Sequence, residues 1–291
     1  MKYIQKFLLI SIFALTISGC GPRETPTPEP TATLAEPTPT EVPMALKVNG
    51  EGITLEEYQA ELTRLQQAQT TLSTSATPEE QRDRVIEDLT DQLLLAQAAA
   101  QNGYSVDDAT LQSRIDALAS DMGGADKLSA WQSANGYTDA TFRVALRRSI
   151  AVSWQRDQII NTVPETADQV HVRQMLVQDE ANAQSLYTQL QNGADFATLA
   201  YKLDPTTGGD LGWFPKGYLT QSAVEDAAFA LEVGSYSEVI QSDLGYHILY
   251  LIERDANHPL SVDARRTLQQ QRLDEWLKAA KGTSKVEVLV N

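Results

Sequence analysis

Four places between residues 54 and 163 carry a side chain that starts a helix, and each is followed by apolar residues at helical spacing. Thr54-Leu-Glu-Glu57 and Thr77-Pro-Glu-Glu80 read as capping boxes, in which a hydroxyl and a carboxylate reciprocally satisfy the first free amides. Pro78 sits at the first helical position, where a missing N–H does no harm. The first helix is expected to reach about Gln69, and the second Asn102, with Gly103 as its stop. Val85, Ile86, Leu89, Leu93, Ala96 and Ala100 mark the second helix's apolar stripe. Ser105-Val-Asp-Asp108 opens a third helix, with Leu111, Ile115, Leu118 and Met122 on its buried side. A short helix over 125–135 closes at Gly136. Thr138 then caps a long one carrying Phe142, Leu146, Ile150, Val152, Trp154 and Ile159. Val163-Pro164 ends it, because the residue before proline disfavours the helical region. With the short strand Ala45-Leu-Lys-Val-Asn-Gly50 in front, residues 45–164 read as one helical domain.

Upstream of that domain, Lys2 and Lys6 precede an apolar run from Phe7 to Ile17, too short to span a membrane. Residues 1–19 therefore read as a secretion signal. Ile17-Ser-Gly-Cys20 resembles a bacterial lipobox, which implies cleavage before Cys20 and lipidation of its thiol. The chain would then be extracytoplasmic and lipid-anchored to the bacterial cell membrane through Cys20. The alternative is an ordinary secreted protein with a cysteine near its cleavage site. Cys20 is the only cysteine, which excludes an intramolecular disulfide. Residues 20–44 are rich in Pro, Thr and Glu and read as a disordered tether. In polyproline geometry, at about 3 Å per residue, the 23 residues 21–43 reach up to roughly 70 Å.

The 291-residue chain is 42% hydrophobic and 21% charged, an ordinary globular composition. Its formal net charge of −16 argues against a nucleic-acid partner, since phosphate binding needs a basic patch. Three scattered histidines and one cysteine make no metal-ligand cluster, so neither metal nor cofactor is expected. A homodimer is left open.

The second half changes period. Val170–Val177 reads as a strand, 179–191, 195–202 and 221–231 as helices, and Tyr246–Ile252 alternates as a strand does. A small mixed domain over 165–256 follows. Beyond it, 260–281 reads as a helix with Leu268, Leu273, Trp276 and Leu277 on its apolar side. Lys285-Val-Glu-Val-Leu-Val290 reads as a strand suited to pair with 45–49. The fold class is α+β. The mixed domain is either inserted in a helical domain that 257–291 completes, or appended to it with the last helix packed on the mixed domain alone.

Gly208-Gly-Asp-Leu-Gly-Trp-Phe-Pro-Lys-Gly217 and Leu244-Gly-Tyr-His-Ile-Leu-Tyr250 resemble the signature of the parvulin (PpiC-type, rotamase) peptidyl-prolyl isomerases. Asn192-Gly-Ala-Asp-Phe-Ala-Thr-Leu-Ala200, Val224-Glu-Asp-Ala-Ala-Phe229 and Val233-Gly-Ser-Tyr-Ser237 extend the likeness over roughly ninety residues, in the family's order. The strand, Asn-Gly turn and Thr-Leu-Glu-Glu-Tyr helix near residue 50 resemble the SurA/PrsA class of foldases. The resemblance implies catalytic roles for three residues. His247 matches the second of the family's facing core histidines. Gln174 stands where the first usually is. Asp204 stands near the rotating carbonyl. It implies that Leu211, Leu219, Val224, Phe214 and Ser242 surround the substrate proline, although Trp213 and Phe214 also read as core. His247 equally reads as a satisfied core histidine and Asp204 as a turn-former. His171 reads as a strand residue without a role, and His258 as exposed linker.

Gln174 for histidine and Val224 for the usual phenylalanine depart from the family pattern. Only Lys202 and Lys216 lie near the site, so selection of phosphorylated clients is not expected. Two functions follow. One is an extracytoplasmic prolyl isomerase and foldase acting on unfolded exported proteins with X–Pro bonds. The other is a chaperone whose parvulin-like domain is catalytically weak or silent.

Overall fold

The computed structural model describes residues 42–290; the expected secretion signal, Cys20 and the expected tether up to residue 41 lie outside the described residues. Strand β1 (Met44–Val48) turns through Asn49-Gly50 into β2 (Glu51–Thr54), an antiparallel hairpin. Asn49 and Gly50 both have positive φ, 53° and 90°, as the favoured two-residue hairpin turn requires. The sequence reading expected the strand and the turn but not β2. Glu51-Gly-Ile-Thr54 has a single bulky apolar side chain, too little to show a period.

Five helices follow: α1 (Leu55–Leu72), α2 (Pro78–Gln101), α3 (Asp108–Asp121), α4 (Ala125–Ala134) and α5 (Asp139–Ile160). The hydroxyl of Thr54 accepts from Glu57 N–H, and Thr77 with Glu80 forms the full reciprocal box. Thr138 pairs in the same way with Thr141. Asp107, not Ser105, caps α3. Leu46, Ile53, Leu89 and Leu93 are buried in the core between hairpin and α2, each contributing about 1.5–3 kcal/mol by its removal from water. Leu111, Ile115, Leu128 and Phe142 form a second, smaller cluster. Met122, expected on the buried stripe, is 37% exposed because α3 ends there and the chain turns through Gly123-Gly124.

The mixed half comprises β3 (Thr166–Val177), α6 (Glu180–Gln191), α7 (Phe196–Leu203), β4 (Asp210–Pro215), α8 (Ser222–Ala230), β5 (Ile240–Ser242) and β6 (Gly245–Pro259). Its sheet is antiparallel, in the order β4-β3-β6-β5. One face packs Met175 and Ile248 on Leu190, Phe196 and Leu199 of α6 and α7. The other packs Val170, Val172, Leu249 and Leu251 with Phe214, Val224 and Ala228, the last two from α8.

Strands β3 and β6 outrun the sequence reading. Their pairing begins at Thr166 with Pro259, so β6 continues past the expected boundary at 256. The last helix, α9 (Val262–Thr283), thus starts beside the end of α5, with Leu260 N–H donating to Glu165 C=O at 2.9 Å. It is fixed to α2 by Lys281, whose ammonium lies 2.7 Å from Asp91 and 2.9 Å from Glu87. Trp276 and Ala280 pack on the first core. Strand β7 (Val286–Val288) then pairs antiparallel with β1, giving a three-stranded sheet β2-β1-β7. Among the described residues, no helix is long and apolar enough to cross a membrane.

Because β7 covers one edge of β1, removing residues 284–291 deletes several ladder hydrogen bonds, each worth about 1 kcal/mol net. The expected result is a drop of about 2–4 kcal/mol in unfolding free energy, read from the urea midpoint. An unchanged midpoint would show that the closing strand adds nothing to stability.

Candidate functional site

Strand register brings the two family positions together. Gln174 lies opposite Leu249 and His247 opposite Leu176, so both side chains stand on the α8 face of the sheet. The short hairpin of β5 and β6 adds Ser242, opposite Gly245. The His247 imidazole is 2% exposed and bonded on both nitrogens. Its Nδ1–H donates to Gln174 Oε1 at 3.1 Å, and the Ser242 hydroxyl donates to its Nε2 at 2.7 Å. Ser242 Oγ in turn accepts from Leu244 N–H at 3.0 Å. Burial disfavours the charged ring and pushes its pKa below the usual 6.5. Near neutral pH the site therefore holds an uncharged, oriented imidazole.

Leu211 and Leu219 lie half-buried on the apolar cluster of α8 and the sheet together with Ile240, which pairs with His247 across β5 and β6. Val224 and Phe214 lie beneath them. At 3% and 0% exposure, they form a floor and present almost no surface. Phe214 was expected either as a substrate contact, by the resemblance, or as core. It pairs with Val170 across β3 and β4 and meets the Phe229 ring edge-on at 6.2 Å, which makes it core.

Asp204 is placed differently from the expectation of a group aimed at the reacting carbonyl. Its carboxylate accepts from Thr206 N–H at 3.0 Å, Thr207 N–H at 3.2 Å, Gly209 N–H at 3.3 Å and the Thr207 hydroxyl. These bonds hold its pKa down to about 2, the Thr207 hydroxyl contributing most. Gly209, at φ +73°, presses on Gln174: a Cβ there would fall 1.9 Å from the Gln174 carbonyl oxygen. Gln174 N–H donates to Gly209 C=O at 2.8 Å. Asp204 thus reaches the imidazole through its loop and the Gln174 backbone.

Trp213, His171, His258 and Glu225 make contacts that no sequence pattern announces. Trp213, read as core, is half-buried and stacks on His258 at 4.0 Å, with His171 at 5.5 Å from the same ring. His171 is also bonded to Asp210 at 2.8 Å. His171 is a strand residue, as expected, whereas His258 is half-buried in β6 and not exposed linker; both stand apart from the bonds joining His247, Gln174 and Ser242. Glu225 is 5% exposed, and its carboxylate accepts from three successive amides, Gly217, Tyr218 and Leu219, at 2.8, 2.9 and 3.0 Å. A glutamate on an amphipathic helix carries no sequence sign of such a role. Among the described residues, no group of three or more His, Cys, Asp or Glu is placed to hold a metal ion.

The shifts fix a pH dependence. His247 titrates below 6.5 in the native state, so as pH falls through 6.5 the unfolded chain takes up the proton first and stability declines. Asp204 acts lower. Its contribution is full above the usual 3.8 and is lost as pH falls towards about 2. Urea unfolding between about pH 7.5 and 5 is expected to show a steeper loss for the native chain than for His247→Gln. Equal slopes would mean that the ring is not held neutral.

Two family descriptions match the chain: a SurA-like N-terminal domain over residues 3–156 and a PPIC-type PPIASE domain over 158–253. Foldase protein PrsA of a Geobacillus species is 36% identical over 126 residues, covering 42% of this chain and 45% of that protein. Foldase protein PrsA 4 of Bacillus cereus is 29% identical over 187 residues, covering 59% and 65%. The matched regions thus span less than two thirds of these relatives. A crystal structure of peptidylprolyl isomerase PrsA from Bacillus cereus, 22% identical, covers 83% of this chain and 90% of its own at a TM-score of 0.48. Since the first family description takes in more than half of the residues, the chain belongs to the SurA-like N-terminal domain family, with a PpiC-type isomerase domain following that region.

Proposed function

We propose that this protein is a peptidyl-prolyl cis–trans isomerase that assists the folding of exported proteins. The carrying observation is the buried, uncharged His247 held between Gln174 and Ser242 on the sheet face whose apolar cluster also packs Leu211 and Leu219. Rotation about an X–Pro bond faces a barrier of about 18–20 kcal/mol, because resonance keeps the amide planar. No bond to the protein has to form. A catalyst needs to grip the ring, exclude water from the amide and leave the carbonyl side free to turn.

Leu211 and Leu219 grip the ring in a slot above the floor of Val224 and Phe214. Ser242, half-buried and fixed by His247 and by Leu244 N–H, supplies a polar edge that does not reorganise as the carbonyl turns, and the buried His247 holds it in place. Gln174 fixes the His247 ring by accepting from Nδ1. Asp204, its carboxylate occupied by its own loop, positions Gly209 against Gln174 and is not a group that meets substrate. The clients are unfolded chains with X–Pro bonds. The lipobox-like Ile17-Ser-Gly-Cys20 and the Pro/Thr-rich tether support an extracytoplasmic body held to the membrane by a lipid on Cys20.

A second reading is favoured by Gln174 itself. It completes the hydrogen bonding of His247 as a purely structural partner would, and so suits a chaperone with a silent site. A protease-free assay on a proline tetrapeptide separates the two. The folded wild-type chain is expected to accelerate isomerisation, and His247→Ala to lower kcat/KM by about tenfold or more, roughly 1.4 kcal/mol in the transition state. Absence of acceleration by the wild-type chain would reject the enzymatic reading and leave the chaperone.

A further inference from the structure

The loop over residues 217–219 carries Leu219 onto the apolar cluster of α8 and the sheet, and it is held from two directions. From below, Glu225 of α8 accepts Gly217 N–H on Oε2 and both Tyr218 N–H and Leu219 N–H on Oε1. Three successive amides converging on one carboxylate make an anion cradle, and hydrogen bonds to an ionised acceptor are the strong kind. From above, Gln271 of α9 donates its side-chain amide to the Gly217 carbonyl. Gly217 lies at φ +88°, and a Cβ there would fall 2.7 Å from Gln271 Oε1 and 3.5 Å from Leu268 Cδ2. The glycine thus permits both the turn and the close approach of the helix.

Gln271 does not belong to the isomerase-like sheet. It lies in the helix whose far end is bonded to α2 through Lys281 and whose strand β7 closes the first sheet. We propose that Glu225 and Gln271 are positioning residues that jointly set Leu219 over the proline slot, so that α9, part of the helical body, completes the isomerase site. The assignment to the slot rests on the isomerase reading above; the two-sided hold on the loop does not.

Neither residue touches the reacting bond. Loss of either is therefore expected to act on the grip on substrate more than on the turning step. Glutamine at 225 retains one carbonyl oxygen for Tyr218 and Leu219 but turns an N–H₂ donor towards Gly217 N–H. It is expected to fall between wild type and alanine.

The test uses the full chain with Glu225→Ala, Glu225→Gln and Gln271→Ala, and Gln270→Ala as a control on the same helix. Two readouts are taken: amide hydrogen exchange at residues 217–219, and KM with kcat for a proline tetrapeptide. Expected are exchange faster by on the order of tenfold or more in Glu225→Ala, a smaller rise in Gln271→Ala, and KM raised several-fold with kcat changed less. Glu225→Gln recovers part of both losses, and Gln270→Ala matches wild type. Gln271 is on the surface, so its variant reports even where Glu225→Ala fails to fold. Unchanged exchange at 217–219 in folded Gln271→Ala would overturn the contribution of α9 to the site. Faster exchange with unchanged KM would overturn the link from loop to slot. If the wild-type chain shows no isomerase activity, the isomerase reading fails, and exchange alone then decides whether the loop is held from both sides.

Discussion

The antiparallel pairing of β3 with β6 governs both halves of this molecule. Its register carries Gln174 and His247 to one face, close enough for a hydrogen bond of 3.1 Å. A slip of one residue would turn the imidazole to the α6–α7 side and leave Ile248 facing the slot. The same pairing runs on to Thr166 and Pro259, so α5 and α9 leave the sheet from one end. That exit lets α9 return to α2 and lets β7 reach β1. Chain segments 240 residues apart thus share a sheet because two long strands in between stay in register.

Around the slot, polar groups are satisfied by local backbone and by one another. Asp204 meets its own loop, Glu225 meets the loop bearing Leu219, and His247 meets Gln174 and Ser242. A buried polar group without a partner costs about 1–3 kcal/mol, so this matching lets an imidazole and a carboxylate sit in an apolar layer. It also gives the carboxylates a shared task. Each accepts from consecutive amides and fixes a loop that would otherwise sample many conformations. Gln174 succeeds in a position the resemblance gives to histidine because the bond needed there is a single acceptor for Nδ1–H.

The helices were legible because their ends are written in short-range chemistry. Thr77 with Glu80, Pro78, and Asn102 with Gly103 at φ +80° follow local rules that no distant contact overrides. Strand β4 was not legible as a strand. Asp210-Leu-Gly-Trp-Phe-Pro215 reads as a glycine turn, and only pairing with β3 makes it extended. The pair of Gln174 and His247 was accessible through the parvulin resemblance of the motifs around them. For Phe214 the sequence left slot and core both open, and its burial decides for core. Glu225 and Gln271 left no trace, because a lone carboxylate or amide on a helix becomes a loop anchor only through contacts set in three dimensions. Asp204 was found in sequence, but its engagement with Thr206, Thr207 and Gly209 appears only in the folded loop.

The central claim is that the apolar slot of Leu211 and Leu219, on the sheet face that carries His247, receives a proline. The most direct measurement is a methyl and amide NMR titration of the full chain with an unlabelled Ala-Ala-Pro-Phe peptide. The account predicts shifts concentrated at Leu211, Leu219, Ile240, Ser242 and His247. Shifts confined to the helical body, or none at peptide concentrations that saturate a working isomerase, would contradict it.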